Sequence, residues 1–150
     1  MKGHRISSIR HAAFVVSDLD RSLEFYMGIL GLDLYRRFVE EGPFIDKLTG
    51  IKNVKVEWAK LIIPSGGLIE LLQYHSHPDT SGTFLVGAPS NKMGASHVAL
   101  TVHGLESIVK DLTQSGYTAK SEILKAPGGK AKILYVHDPD GSILELIEDG

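Results

Sequence analysis

Four residues of this chain stand where their chemistry is out of keeping with their neighbours. His11 opens the run His11-Ala12-Ala13-Phe14-Val15, and His97 opens His97-Val98-Ala99-Leu100-Thr101. Glu70 sits in Leu68-Ile69-Glu70-Leu71-Leu72, and Glu145 in Ile143-Leu144-Glu145-Leu146-Ile147. These are strand-type runs, in which side chains alternate between faces. His11 thus shares a face with Ala13 and Val15, His97 with Ala99 and Thr101, Glu70 with Leu68, Leu72 and Tyr74, and Glu145 with Ile143 and Ile147. A carboxylate on an apolar strand face is costly to bury alone. A divalent cation shared by both carboxylates and both imidazoles would offset that cost and keep the acids ionised. Cysteine is absent, so His, Asp and Glu are the only strong ligands available. Two imidazoles and two carboxylates suit Zn, Ni, Co, Mn or Fe rather than Ca or a thiolate-preferring metal. On an octahedral ion they leave two positions for water or substrate oxygens.

An internal repeat explains why the four should meet. Ile9 to Leu34 aligns without gaps to Ala95 to Ala119 at an offset of 86, matching His11 with His97, Ala13 with Ala99, Val16 with Val102 and Leu19 with Leu105. Each copy runs from a short strand through a polar turn into a helical stripe. The first stripe is Leu19, Leu23, Tyr26 and Leu30, started by Asp18 or Asp20 and stopped at Gly31. The second is Leu105, Ile108, Val109 and Leu112, ended by Gly116. Each half then closes with two strands. Lys55 to Ile63 and the Glu70 strand flank Pro64-Ser65-Gly66-Gly67, and Lys132 to His137 and the Glu145 strand flank Asp138-Pro139-Asp140-Gly141. Both halves therefore read β–α–β–β–β, an α+β fold of two modules that sit edge to edge in a curved mixed sheet, since one module alone cannot bury both faces of its sheet. Module 1 spans about 8–75 and module 2 about 95–149, with a Pro-, Gly-, Ser- and Thr-rich linker over 76–94. Glu40 to Ile51 has no counterpart in the second half and reads as an inserted loop with a short helix at Ile45 to Leu48.

The remaining features are weaker. His75 and His77 could clip a metal at a loop edge but read as polar residues after a strand, and His4, His103 and His137 read as surface or turn residues. Gly128-Gly129-Lys130 lacks the spacing of a phosphate loop. Phe14, Phe44, Trp58, Leu72 and Tyr135 are candidates for core or substrate contacts, and Tyr74 joins them on the Glu70 face. The net charge of -2 and the absence of a basic stripe argue against a nucleic-acid surface. No apolar run is long enough for a membrane span, and the polar N-terminal stretch does not resemble a signal peptide. A cytoplasmic protein is expected.

The stretches Arg10-His11, Phe25-Tyr26 to Leu30-Gly31-Leu32, Ile69-Glu70-Leu71, Ser96-His97-Val98-Ala99 and Asp138-Pro139-Asp140-Gly141 to Leu144-Glu145-Leu146 resemble the vicinal oxygen chelate superfamily. That group includes glyoxalase I, methylmalonyl-CoA epimerase, extradiol dioxygenases and bleomycin or fosfomycin resistance proteins. The resemblance implies a single domain of paired βαβββ modules cupped around one divalent metal, with His11, Glu70, His97 and Glu145 as ligands. It also implies a homodimer, in which each metal site lies within one chain or is shared between two. The His–Glu–His–Glu set is similar to that of glyoxalase I and favours a lyase or isomerase moving a proton next to a metal-bound carbonyl, with Glu145 or Glu70 as base. Bacterial glyoxalases carry an Arg and an Asn for glutathione where this chain has Val15 and Tyr74, so the cup reads as more apolar and a glutathione adduct as a poor fit. An extradiol-type ring-cleaving dioxygenase and a non-enzymatic antibiotic-binding protein are the alternative readings.

Overall fold

The computed structural model describes residues 5–81, 89–94 and 97–150. His4, residues 82–88 of the expected linker and the Ala95-Ser96 step lie outside the described residues. The elements run β1 (His11–Val15), α1 (Leu19–Leu23) continuing as a π-helical segment (Glu24–Ile29), β2 (Asp33–Glu41), α2 (Pro43–Thr49), β3 (Lys55–Ile62), β4 (Leu68–Tyr74), β5 (His97–Thr101), α3 (Leu105–Gln114), β6 (Leu124–Lys125), β7 (Lys132–His137) and β8 (Ile143–Glu148). The double βαβββ pattern read from the sequence is the observed one, with α2 as an insertion.

Two four-stranded mixed sheets result, ordered β1-β4-β3-β2 and β5-β8-β7-β6. In each, the His-bearing strand lies parallel to the Glu-bearing strand, and the remaining pairs are antiparallel. The registers are equivalent: Ala13 stands opposite Glu70 and Ala99 opposite Glu145, which puts each His one step diagonally from its Glu. The parallel pairing follows from the helix between the strands, because such a crossover returns the chain in the same direction.

The chain forms two compact units. One comprises the chain up to Leu19 together with Leu32–Pro78; the other comprises Asp20–Gly31 together with the chain from Asp79. The first helix thus departs from the module boundaries: most of it belongs to the second unit. Its sequence gives the reason. The π winding brings the adjacent Phe25 and Tyr26 inward together, and both are fully buried. Phe25 meets Tyr26 edge-on with ring centroids 5.1 Å apart and Tyr117 at 4.9 Å, a favoured aromatic geometry. The expected stripe is correspondingly altered: Leu30, placed in it by an α-helical period, is only half-buried.

In the first unit the sheet face away from Glu70 carries Ala59, Leu61, Ile69 and Leu71, all buried. In the second unit Leu134, Val136, Leu144 and Leu146 are buried with Leu105 and Leu112 of α3. The insertion holds a longer helix than expected, seven residues instead of four. Pro43 opens it, and Asp46 ties it to the following turn by accepting the backbone N–H groups of Asn53 (2.8 Å) and Val54 (2.9 Å). Ile45 then packs with Val54 and Val56 against Leu72 and Tyr74, so α2 covers one end of the face that carries Glu70. Among the described residues no helix is long and apolar enough to cross a membrane.

Candidate metal centre

The register delivers one imidazole–carboxylate pair per sheet. His11 Nε2 lies 2.9 Å from Glu70 Oε2, and His97 Nε2 lies 3.1 Å from Glu145 Oε2. The carboxylates are the more enclosed partners, with side-chain exposures of 11% for Glu70 and 18% for Glu145 against 31% and 30% for the two histidines. Each acid is therefore largely withdrawn from water while its His keeps an open edge. Among the described residues no three His, Asp or Glu side chains gather closely enough to hold a metal. The four expected ligands are present as two pairs, one in each unit.

The donor set fits a divalent cation of the borderline class. Each pair presents a ring nitrogen and a carboxylate oxygen to one another on an otherwise apolar or small-residue strand face, and among the described residues neither acid forms a salt bridge with a Lys or Arg. Such a paired N,O arrangement, repeated, is the chemistry expected of a Zn, Ni, Co, Mn or Fe site. His11, Glu70, His97 and Glu145 are the residues that would hold it.

Their surroundings differ. Tyr135 is directly cross-strand from Glu145. Its hydroxyl lies 3.4 Å from His97 Nε2, and its ring is 4.9 Å from the imidazole centroid, a packing contact longer than a firm hydrogen bond. At the matching position opposite Glu70 stands Lys60. Trp58 is opposite Leu72, and Val56 opposite Tyr74, so Trp58, Leu72 and Tyr74 share the Glu70 face. Phe44 is on α2 and is 69% exposed. Phe14 lies on the far face of β1, in register with Leu71, and does not share the His11 face.

The other histidines have local roles. His75 Nε2 is 2.8 Å from Glu57, whose other oxygen accepts from Arg37 Nε at 2.6 Å, and these two partners hold the Glu57 carboxyl below its usual range. His77 and His103 are exposed. His137, expected at the surface or in a turn, is buried at 5% exposure. The Asp138–Ser142 turn folds back over it and Nδ1 lies 3.0 Å from the Gly141 carbonyl.

That same turn links two stretches which the sequence could only set side by side. Asp138 Oδ1 accepts the N–H groups of Asp140 (3.0 Å) and Ser142 (2.8 Å), closing the turn over Gly141 at φ +89°. Its Oδ2 accepts the buried Tyr26 hydroxyl at 2.9 Å. Burial raises the Asp138 carboxyl above its usual range, and burial beside that carboxyl raises the Tyr26 phenol, which stays a donor.

The sequence matches the model of the Glyoxalase/Bleomycin resistance protein/Dioxygenase superfamily over residues 8–146. The chain belongs to that superfamily. Among relatives of this glyoxalase-superfamily chain, a lactoylglutathione lyase of Salmonella typhimurium is 30% identical over 140 residues, covering 92% of this chain and 90% of the relative. A lactoylglutathione lyase of Schizosaccharomyces pombe is 31% identical over 147 residues. That match covers 93% of this chain but only 46% of the yeast protein, so the chain spans about half its length. A glyoxalase family protein from Bacillus cereus has a solved structure that superposes with a TM-score of 0.89 at 26% identity, covering 100% of this chain and 99% of that one.

Proposed function

We propose that this superfamily member is a metal-dependent lyase or isomerase of the glyoxalase I kind, transferring a proton beside the carbonyl of a small molecule. The observation that carries the reading is the repeated His–Glu pair, with equivalent registers and N–O distances of 2.9 and 3.1 Å. A structural ion pair has no need of such duplication; a shared cation does. The similarity to lactoylglutathione lyases supports the reaction type. A bound divalent cation would supply Lewis acidity toward a substrate carbonyl, making the neighbouring C–H more acidic.

The rest falls to the chain's own residues. His11 and His97 present Nε2 beside their acids, so each imidazole and its carboxylate can turn to one cation together. Glu70 or Glu145 takes the proton from the activated carbon and returns it to its neighbour, as a general base that becomes a general acid. The limited exposure of both carboxylates keeps bulk water from competing for that proton. Val15 and Tyr74, which replace the polar glutathione contacts of bacterial glyoxalases, point to a substrate other than a glutathione adduct. We place the protein in the cytoplasm as a homodimer. The lack of cysteine supports the first. The second is supported by the edge strand β2, where Leu34, Tyr35, Phe38 and Val39 are all more than two-fifths exposed. An apolar edge of this kind needs cover.

Glu145→Gln should lower kcat about 10²- to 10⁴-fold, the usual worth of a positioned acid–base group, while metal remains measurable by elemental analysis. The assay is a panel of hemithioacetals, α-oxo thioesters and catechols on protein loaded with each candidate metal. Undiminished turnover in that variant removes Glu145 from the mechanism. Catechol-dependent oxygen uptake moves the assignment to a dioxygenase, and ligand binding that survives chelation moves it to a sequestering protein.

A further inference from the structure

On the face of the first sheet that carries Glu70, two cations are held without a counter-ion. Lys60 is the direct cross-strand neighbour of Glu70, and Arg36 is the direct neighbour of Lys60 on β2. Side chains so paired have Cβ atoms roughly 4.5–5.5 Å apart, so Lys60 stands next to Glu70 and Arg36 one strand further out on the same sheet face. Neither forms a salt bridge among the described residues. Instead, both lean on aromatic rings. Lys60 Nζ is 4.6 Å from the Trp58 ring centroid, and Arg36 Cζ is 5.7 Å from that centroid and 5.3 Å from that of Phe38. The two rings support each other with centroids 5.8 Å apart. The indole is fixed in turn, its N–H donating to Glu40 at 2.8 Å.

A ring face positions a cation without cancelling its charge. Glu40 is engaged by the indole N–H and Glu70 faces His11, so Arg36 and Lys60 keep their positive potential and their free N–H donors. A planar guanidinium beside an ammonium suits an oxyanion through charge-assisted hydrogen bonds. The arrangement is one-sided: the position equivalent to Lys60 in the second sheet is the uncharged Tyr135.

We propose that Arg36 and Lys60, braced on Trp58 and Phe38, form an oxyanion subsite on the sheet face that carries Glu70. The substrate is then a small molecule with an acidic C–H next to a carbonyl and a carboxylate or phosphate a few bonds away. The anion anchors toward the first sheet and fixes which end of the molecule meets the bases. This substrate class rests on the proton-transfer reading above; the subsite itself does not.

Trp58 is the only tryptophan of the chain, so its emission reports on the subsite directly. Full-length protein, metal-stripped and metal-loaded, is titrated with inorganic phosphate, with succinate and with chloride as a control. The expected result is a saturable emission change with phosphate, succinate or both, at least tenfold weaker in Arg36→Gln and in Lys60→Met, with unchanged far-ultraviolet circular dichroism. Lys60→Met keeps the apolar stem against the ring and removes only the charge. Preference for phosphate over succinate assigns a phosphorylated substrate, and the reverse a second carboxylate. Absence of saturation with either probe, or variants that titrate like the parent, overturns the subsite. Because anion binding is read in metal-stripped protein, it can survive a failure of the catalytic reading. Loss of turnover in Glu145→Gln with no anion response would fell the subsite alone.

Discussion

At the scale of single residues, the most consequential contact outside the two His–Glu pairs is Tyr26 to Asp138. It joins positions 112 residues apart, and it is buried at both ends. The carboxylate has three donors, two from its own turn and one from the phenol. Tyr26→Phe removes only the third and leaves Oδ2 enclosed with one donor fewer. Hydrogen bonds to such groups are worth about 1–3 kcal/mol, and urea unfolding should show a loss of that size with an unchanged m-value. A change below ~0.5 kcal/mol would mean that water replaces the hydroxyl. The two His–Glu pairs were legible in the sequence as residues, because a polar residue in an apolar strand is conspicuous one residue at a time. Asp138 was legible only as a turn former, and Arg36 and Lys60 not at all. Their roles depend on which side chain stands across the strand, and that emerges once the β3–β4 hairpin is registered about Ile63–Gly67.

At the scale of elements, the repeat extends past the ligands to the way each helix is started. The sequence suggested Asp18 or Asp20 as the start of the first helix. Gln73 on β4 also serves that start, its Oε1 taking the Leu19 N–H at 2.8 Å. In the second unit Glu148 on β8 takes the N–H groups of Gly104 and Leu105. Gln73 lies three residues after Glu70, and Glu148 three after Glu145, so each strand carries the His-paired Glu on one face and a helix cap on the other. This link joins the orientation of each helix to that of its site, and single-sequence periodicity has no means of finding it. Gln73→Ala should cost about 1 kcal/mol, the usual value of a lost cap. Glu148 also accepts from Lys132 Nζ at 2.9 Å, and Lys132 reaches Glu106 at 2.7 Å. The Lys132 contact and the backbone N–H of Gly104 hold the Glu148 carboxyl below its usual value of 4.5. A carboxyl lowered by folding stabilises the fold above its unfolded value and loses that contribution as the pH falls through its folded one. Urea midpoints at pH 7 should therefore rank the parent above Glu148→Gln, and Glu148→Gln above Glu148→Ala, since glutamine can still cap as Gln73 does. Below the carboxylate range the parent and Glu148→Gln should converge. A gap that is the same at pH 7 and pH 3 would show that the charge plays no part.

At the scale of the whole molecule, the question is where the two His–Glu pairs find each other. The sequence repeat made the modules and the ligand faces legible, and the double βαβββ order came out as read. It could not show that residues 20–31 leave the first module to complete the second unit, because that depends on Phe25, Tyr26, Tyr117 and Asp138 meeting in space. A chain whose modules exchange structure in this way, and whose β2 edge exposes apolar side chains, is well suited to share a site with a second copy. In a two-fold dimer, a shared site would take the His11–Glu70 pair from one protomer and the His97–Glu145 pair from its partner. His11→Ala and His97→Ala should each abolish metal-dependent turnover when alone. Unfolded together and refolded as a mixture, they would give hybrid dimers in which one site carries both lesions and the other carries none. Random pairing then restores about a quarter of the parent activity. Had each chain built its own site, every site in the mixture would keep one lesion, and no activity would return. Size-exclusion chromatography of the same mixture confirms that dimers have re-formed, so recovery of turnover places the ligands on two chains and its absence places them on one.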